Sequence, residues 1–347
     1  MTRHPAVDDV PVRSAAEMLA ETRIAVIIPA YRAADTIQEV VRGLPPFIDV
    51  IVVVDDACPE GTAQACLALN APRLVVVRHD RNAGVGGATV TGFRKALECN
   101  ADILVKMDAD GQMDPAFLPA LLEPLFCECD CAKANRFYDG EALRRMPWLR
   151  RWGNIGLSFL MKIASGYWNV YDPQNGYLAI RADTLRRLDL DGLDRGYFFE
   201  NSLLIQLDII SARVAEVPIP ARYGDEISSM NLTRILIQFP WKLVRGWLMR
   251  LRLKYFGMDF SPIAVLLLIG FPLFLGGIGY GIFEWVRNAL KGVVTPAGTV
   301  MLAALPTLLG TQLLLTALLM EIGQTPPGLG IRKVVVKRSN VQGTHRR

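Results

Sequence analysis

Histidine is nearly missing from this chain: 347 residues include only His4, His79 and His345. A Ser-His-Asp hydrolase needs an imidazole beside its nucleophile, so that chemistry is disfavoured. Paired metal-binding clusters are missing too. Cys127, Cys129 and Cys131 form Cys-x-Cys-x-Cys, but no second Cys/His cluster accompanies them, and structural zinc normally draws paired ligands from two places. Free thiols are the expectation for all six cysteines, as in a reducing compartment, with ordinary helix-to-strand packing for Cys127, Cys129 and Cys131. No Walker A loop is present, which removes the usual ATPase and GTPase readings. The amino terminus has no apolar run, so no signal peptide is expected and residues 1–20 read as a flexible tail.

What is abundant is apolar surface, and it is concentrated late. Mean hydropathy is +0.26 although 21% of residues are charged. Pro262 to Phe283 gives 22 residues without a charge, and Ala297 to Met320 gives 24. Each run is long enough to cross a hydrocarbon core of ~30 Å as a helix, so residues 259–322 read as a two-helix transmembrane hairpin. Lys242, Arg245, Arg250, Arg252 and Lys254 precede the first span, Arg332, Lys333, Lys337 and Arg338 follow the second, and the connection holds only Arg287 and Lys291. The positive-inside rule puts both ends in the cytoplasm. The expected location is therefore the cytoplasmic membrane, multi-pass, with the preceding domain and a basic tail, 323–347, in the cytoplasm. Residues 231–258 mix six cations with Phe239, Trp241, Trp247 and Tyr255, which fits an amphipathic juxtamembrane helix lying in the interface. Because the cations cluster beside the spans, nucleic acid is not an expected partner.

Residues 21–230 alternate strand and helix patterns. Strands are expected at Arg23–Ile28, Val50–Val54, Leu74–Val77 and Ile103–Met107, with helices at Ala33–Leu44, Gly61–Leu69 and Val85–Glu98 between them. That alternation implies an α/β fold with a parallel sheet covered by helices. Further on, strands are expected at Cys131–Asn135, Gly176–Ile180 and, as an edge strand because of its prolines, Val214–Pro220. Helices are expected at Trp148–Ser165 and Phe199–Ser211.

Ligands of such sheets collect at the carboxyl ends of the strands, and Asp55, Asp56, Asp108 and Asp110 all fall there. Asp108-x-Asp110 offers hard oxygen ligands suited to Mg²⁺ or Mn²⁺, ions that usually share their coordination with a substrate diphosphate. Asn82 to Ala88 is glycine-rich and opens a helix, but Thr89 stands where a dinucleotide fingerprint needs its third glycine, and the stretch follows the third strand; NAD is disfavoured. Asp172 to Tyr177 joins a carboxylate, a turn and a glycine. Arg144, Arg145, Arg150 and Arg151 flank Met146-Pro147-Trp148, either as a solvated face or as receptors of a lipid phosphate.

Together these pieces resemble the family-2 glycosyltransferases with a GT-A fold (Rossmann-like, mostly parallel sheet with helices on both faces). The likeness is to the membrane-anchored branch that includes dolichyl-phosphate mannose synthases and bacterial polyprenyl-phosphate glycosyltransferases. It rests on Ile28-Pro29-Ala30-Tyr31, Val54-Asp55-Asp56 with Gly61-Thr62, Asn82 to Ala88, Asp108 to Pro115, Asn135-Arg136-Phe137, Asp172 to Tyr177 and Tyr223 to Ser228. The resemblance implies an inverting transfer from a nucleotide-sugar donor to a polyprenyl phosphate acceptor at the bilayer. It implies that Pro29, Tyr31, Asp55 and Asp56 hold the base and ribose, and that Asp108 holds the ribose-diphosphate and, with Asp110 and Gln112, the metal. Arg136 then meets the donor phosphates, Arg150 and Arg151 are candidates for the acceptor phosphate, and Asp110, Arg136 and Asp172 are the catalytic candidates. Ser229 stands where many mannose synthases place Lys, so Arg222 or Arg234 is the expected substitute. Trp148 stands where processive synthases carry the Gln of Gln-x-x-Arg-Trp, which argues against chain extension. A hydroxyl acceptor on a saccharide or glycolipid is the alternative, with Asp172 or Glu200 as base. A non-catalytic membrane scaffold is a second alternative, and a homo-oligomer through the spans is left open.

Overall fold

The computed structural model describes residues 15–138, 148–220, 232–258 and 261–325. In chain order its elements are α1 (Ala15–Glu21), β1 (Ile24–Ala30), α2 (Ile37–Gly43), β2 (Val50–Asp55), α3 (Thr62–Leu67), β3 (Leu74–Arg78), α4 (Gly84–Glu98), β4 (Ile103–Lys106), α5 (Leu118–Cys127), β5 (Cys131–Asn135), α6 (Trp148–Ser165), β6 (Leu178–Arg181), α7 (Ala182–Arg186), α8 (Phe199–Ile209), β7 (Val214–Pro218), α9 (Leu232–Leu251), α10 (Pro262–Leu290) and α11 (Ala297–Gly323). A π-helical segment, Arg252–Met258, continues α9.

The strands form one seven-stranded sheet in the order β3-β2-β1-β4-β6-β5-β7. All neighbours are parallel except at β6, which runs antiparallel to both β4 and β5. Continuous apolar strands are what a sheet covered on both faces requires, and period-two alternation divides their side chains between two layers. Ile24, Val26, Ile28, Ile51 and Val53 pack with α2, α3 and α5. Ala25, Ile27, Val50, Val52 and Val54 pack with α4, α7 and α8. As expected from its prolines, β7 is an edge strand.

The last residues of the expected tail are helical. Residues 15–21 form α1, and Leu19 packs against the first layer of the core, so apolar contact orders a segment that composition alone leaves loose.

α10 and α11 form an antiparallel hairpin. Their 29 and 27 residues make helices about 40 Å long at ~1.5 Å per residue, enough to cross a bilayer. Small residues let them approach: a Cβ on Gly277 would run into Thr307, and one on Gly310 into the backbone of Phe274, the small-residue packing that membrane helices use. The hairpin is tied to the sheet domain by buried charge. Arg250, fully buried, donates to Asp208 Oδ2 at 3.0 Å and pairs with Glu321 of α11, while Lys254 meets Asp208 Oδ1 at 2.8 Å. Both domain-proximal helix ends therefore sit beside the sheet domain, with residues 291–296 at the far end. α10 runs past the expected span and takes Asn288 with it, buried and donating to Thr295, whereas Val294 at the same end is 90% exposed.

Candidate active site

β1 lies between β2 and β4, so the acidic ends of those strands stand on either side of Pro29-Ala30. Two strand spacings separate them by about 10 Å. Pro29 is buried in β1, and Tyr31 just beyond it is half exposed, its ring under the Arg32 guanidinium at 5.5 Å.

The two acidic pairs have unlike surroundings. Asp55 is sealed in and its oxygens accept from Cys58 N at 2.8 Å and Ala63 N at 3.3 Å, bracing the loop that leads into α3. Asp56, also sealed, accepts from Ala83 N at 2.7 Å and Gly84 N at 2.8 Å, and its Oδ1 lies 2.7 Å from Nδ1 of His79. The other ring nitrogen of His79 meets Thr91. Asp56 thereby fixes the first turn of α4, where backbone N–H groups have no helical partner. Gly84 belongs there because its φ is +82° and a Cβ would strike the carbonyl of Arg195; the loop before α8 presses directly on this turn, and Arg195 O accepts from Gly87 N at 3.1 Å. The close approach that the glycines permit is thus to another part of the chain.

Asp108 and Asp110 stand more open. Asp108 keeps about a third of its side chain exposed. Asp110 accepts from Gln112 N at 3.0 Å, folding the turn so that Gln112 stays beside the pair. Asp114 caps the next turn through Ala116 N at 3.0 Å. Behind Asp108 lies a residue that sequence reading did not single out: Lys106 Nζ donates to Asp108 Oδ1 at 2.7 Å and to Glu200 Oε1 of α8 at 3.0 Å. Burial by itself would pull this ammonium down, but Asp108 and Glu200 together hold it above the usual lysine range. A lysine inside the apolar run of β4 was the available signal. Gly176 packs against this group so closely that a Cβ would run into Nζ.

The Asp172 segment closes the other side. Arg136 grips Asp172 with a two-pronged contact, Nε to Oδ2 at 2.8 Å and Nη2 to Oδ1 at 2.9 Å, and Arg136 N adds a third bond at 3.1 Å. Glu216 of β7 accepts from the backbone N–H of Tyr171 and of Asp172, each at 2.7 Å, and from Asn135; burial pushes its carboxyl above the usual range despite these donors. Lys133, buried in β5, donates to Asn175 O at 2.7 Å, and burial lowers its ammonium. Neither Glu216 nor Lys133 carried a motif, so sequence reading missed both.

Arg150 and Arg151 lie in α6, but their side chains, with Arg144, Arg145, Arg222, the side chain of Arg234 and the Tyr223–Ser228 segment, fall outside the described residues. The helices α6 and α9 pack together and expose apolar side chains at helical spacing: Trp148, Trp152, Ile155 and Phe159 on α6, Trp241, Val244 and Leu248 on α9. A cavity of about 380 Å³ lies between the end of β3, α4 and the loop before α8; its lining includes Arg78, Arg81, Arg94 and Arg195, and also His79 and Ala83, which bond Asp56, but neither Asp108 nor Asp110.

Among the described residues no group of three or more His, Cys, Asp or Glu side chains converges as a metal cage, and Cys127, Cys129 and Cys131 are free thiols. Two neighbouring carboxylates, one partly open, do suit Mg²⁺ or Mn²⁺, which bind through one or two carboxylates when phosphate oxygens and water complete the shell.

Comparison with known proteins accords with this geometry. Residues 25–189 match the Glycosyl transferase family 2 model. A Methanococcus voltae protein, UDP-N-acetylglucosamine--dolichyl-phosphate N-acetylglucosaminyltransferase, is 31% identical over 64% of this chain and 94% of its own length. Micrococcus luteus undecaprenyl-phosphate mannosyltransferase is 36% identical over 57% and 82%. Polyprenol monophosphomannose synthase of Mycolicibacterium smegmatis is 31% identical over 66% and 90%. Among solved structures, glucosyl-3-phosphoglycerate synthase from Mycobacterium tuberculosis aligns with 72% of this chain and 86% of its own, at TM-score 0.50 and 22% identity, a likeness of fold. The chain belongs to glycosyl transferase family 2. It is a glycosyltransferase whose sheet domain is the GT-A arrangement, followed by two helices long and apolar enough to span a membrane.

Proposed function

We propose that the protein moves one sugar, with inversion, from a nucleoside diphosphate sugar to a polyprenyl phosphate at the cytoplasmic face of the membrane. The observation that carries the acceptor assignment is the state of the two carboxylates able to serve as a base. Asp172 is held by Arg136 and Glu200 by Lys106. A hydroxyl acceptor needs a base to take its proton. A lipid phosphate monoester already carries about −1.5 to −2 charges at neutral pH and attacks without one. Its oxygen forms the new bond to the anomeric carbon on the face opposite the diphosphate, which leaves with the electron pair of the broken bond. Asp108, Asp110 and Gln112 would hold the divalent ion, which as a Lewis acid offsets charge on the leaving diphosphate. Arg136 adds a guanidinium where that charge grows, and Asp172 aims it. Tyr31 offers a face for the base, and Pro29, Asp55 and Asp56 shape the floor beneath it.

The named relatives support the reading because their names carry two sugars, N-acetylglucosamine once and mannose twice, and agree in a polyprenyl lipid. The exposed aromatic faces of α6 and α9 support it as well, since Trp in amphipathic helices anchors at the membrane interface. Incubation of the purified chain and Mn²⁺ with a panel of UDP- and GDP-sugars and undecaprenyl phosphate, followed by mass spectrometry of the lipid, should yield one acid-labile glycosyl phosphate. A sugar joined to a saccharide or glycolipid hydroxyl instead would overturn the acceptor. For the orientation, a cysteine at Val294 should be labelled by an impermeant reagent on intact cells; labelling only after permeabilisation would reverse the topology.

A further inference from the structure

Lys106 has no part in the chemistry so far. It ends a strand whose other residues are Ile103, Leu104 and Val105, and its side chain is 1% exposed. Burying an ammonium is costly unless it is paired and hydrogen-bonded. Here it is paired twice, to Asp108 at 2.7 Å and to Glu200 at 3.0 Å, and Gly176 lies directly against Nζ. The group therefore has no solvent into which to swing, and one oxygen of Asp108 carries a fixed cation. Asp108 is also one of the two carboxylates assigned to the divalent ion. Two cations on one carboxylate repel each other, strongly so inside a protein.

We infer that Lys106 is a positioning residue that keeps Asp108 from capturing a metal ion by itself, so that metal binds firmly only together with a nucleoside diphosphate and leaves with it. The inference rests on the metal-dependent reading above. Incoming diphosphate adds negative charge to that of the carboxylates and so offsets both cations, whereas bare metal meets an Asp108 whose charge Lys106 already partly neutralises. Glu200 has the opposite influence. By sharing the ammonium from α8 it draws part of the charge away from Asp108, and its own negative charge favours the ion.

The two substitutions should therefore move metal affinity in opposite directions. In a Mn²⁺ titration followed by electron paramagnetic resonance, the full chain in detergent should bind Mn²⁺ weakly alone and at least ~10-fold more tightly with UDP or GDP. Lys106→Met should bind Mn²⁺ alone at least ~10-fold more tightly than wild type and lose most of the dependence on nucleotide. Glu200→Gln should bind Mn²⁺ alone more weakly. If Lys106 merely props Asp108 in place, both variants weaken binding, and that result overturns the inference, as does unchanged binding in Lys106→Met. Should Lys106→Met fail to fold, Lys106→Gln, which keeps a hydrogen-bond donor without the charge, takes its place: tighter binding of Mn²⁺ alone supports the inference, and unchanged or weaker binding overturns it. A wild-type chain that binds Mn²⁺ under neither condition removes the metal reading and this inference together.

Discussion

Two strands flanking β1 end in paired carboxylates, and a reader of the sequence would treat the pairs alike. Asp55 and Asp56 are closed off, their oxygens occupied by N–H groups of Cys58, Ala63, Ala83 and Gly84. Asp108 keeps about a third of its side chain exposed and takes the Lys106 ammonium on Oδ1, while Asp110 accepts from Gln112 N. A carboxylate saturated by backbone donors holds two loops together, while one with spare lone pairs and exposure can meet a cation. The first pair braces the loops that lead into α3 and α4, and the second is the pair to which the divalent ion is assigned in the proposed function. Position at a strand end does not separate the two pairs; the partners and exposure each carboxylate acquires on folding do.

Substitutions can break this comparison. Asp110→Ala should lose at least ~100-fold in kcat/KM, about 2.7 kcal/mol, comparable with losing an oxyanion donor, and should melt close to wild type. EDTA should abolish turnover; full activity in EDTA, or a normal rate for Asp110→Asn, contradicts the assignment of this pair. Asp56→Ala should act the other way round. It takes the acceptor from Ala83 N and the partner from His79 Nδ1 and leaves Gly84 N only Asn82 Oδ1 at 3.1 Å, a cost of about 2 kcal/mol, read as a fall in Tm of about 4–8 °C. A wild-type melt combined with lost turnover would make Asp56 a donor contact and erase the distinction drawn here.

Arg136→Lys tests whether geometry or charge matters beside the open pair. Lysine keeps the charge but loses the fork that grips Asp172, so a loss of roughly 10-fold in kcat is expected; an unchanged rate would reduce Arg136 to a point charge. The smallest effect concerns pH. If a lipid phosphate attacks, turnover should fall as pH drops through the second ionisation of that phosphate near ~6, because the dianion is the better nucleophile. Asp172→Asn should slow the reaction but leave that acidic limb where it is. A limb that moves with the substitution would restore Asp172 as a base and favour a hydroxyl acceptor.

Much of the sheet was legible in advance because each central strand is a continuous apolar run that needs cover on both faces. The expected runs at Val50–Val54 and Ile103–Met107 coincide with β2 and β4. The reversed direction of β6 was not legible, since it depends on pairing Lys106 with Leu178 and Ile103 with Arg181 across the fold. Lys106 itself was visible as a lysine in an apolar strand, but its two partners come from separate elements and no spacing rule joins residue 106 to residue 200. Glu216 shows the same limit: its partners Tyr171 and Asp172 lie 45 and 44 positions away. The tail residues 15–21 were misjudged because their order depends on contact with the core.

By itself the sequence determined the α/β class, the strand ends that carry acid, the two long apolar helices and the likeness to family-2 glycosyltransferases. All of these are set by local period, run length or motif, quantities that survive without knowledge of what touches what. Tertiary structure decided which carboxylates stay open, that Asp172 and Glu200 are held by Arg136 and Lys106, and that Asp208, Arg250 and Glu321 fasten the hairpin to the sheet domain. Those outcomes depend on which charges meet after the chain has folded, because a buried carboxylate takes its role from its partners.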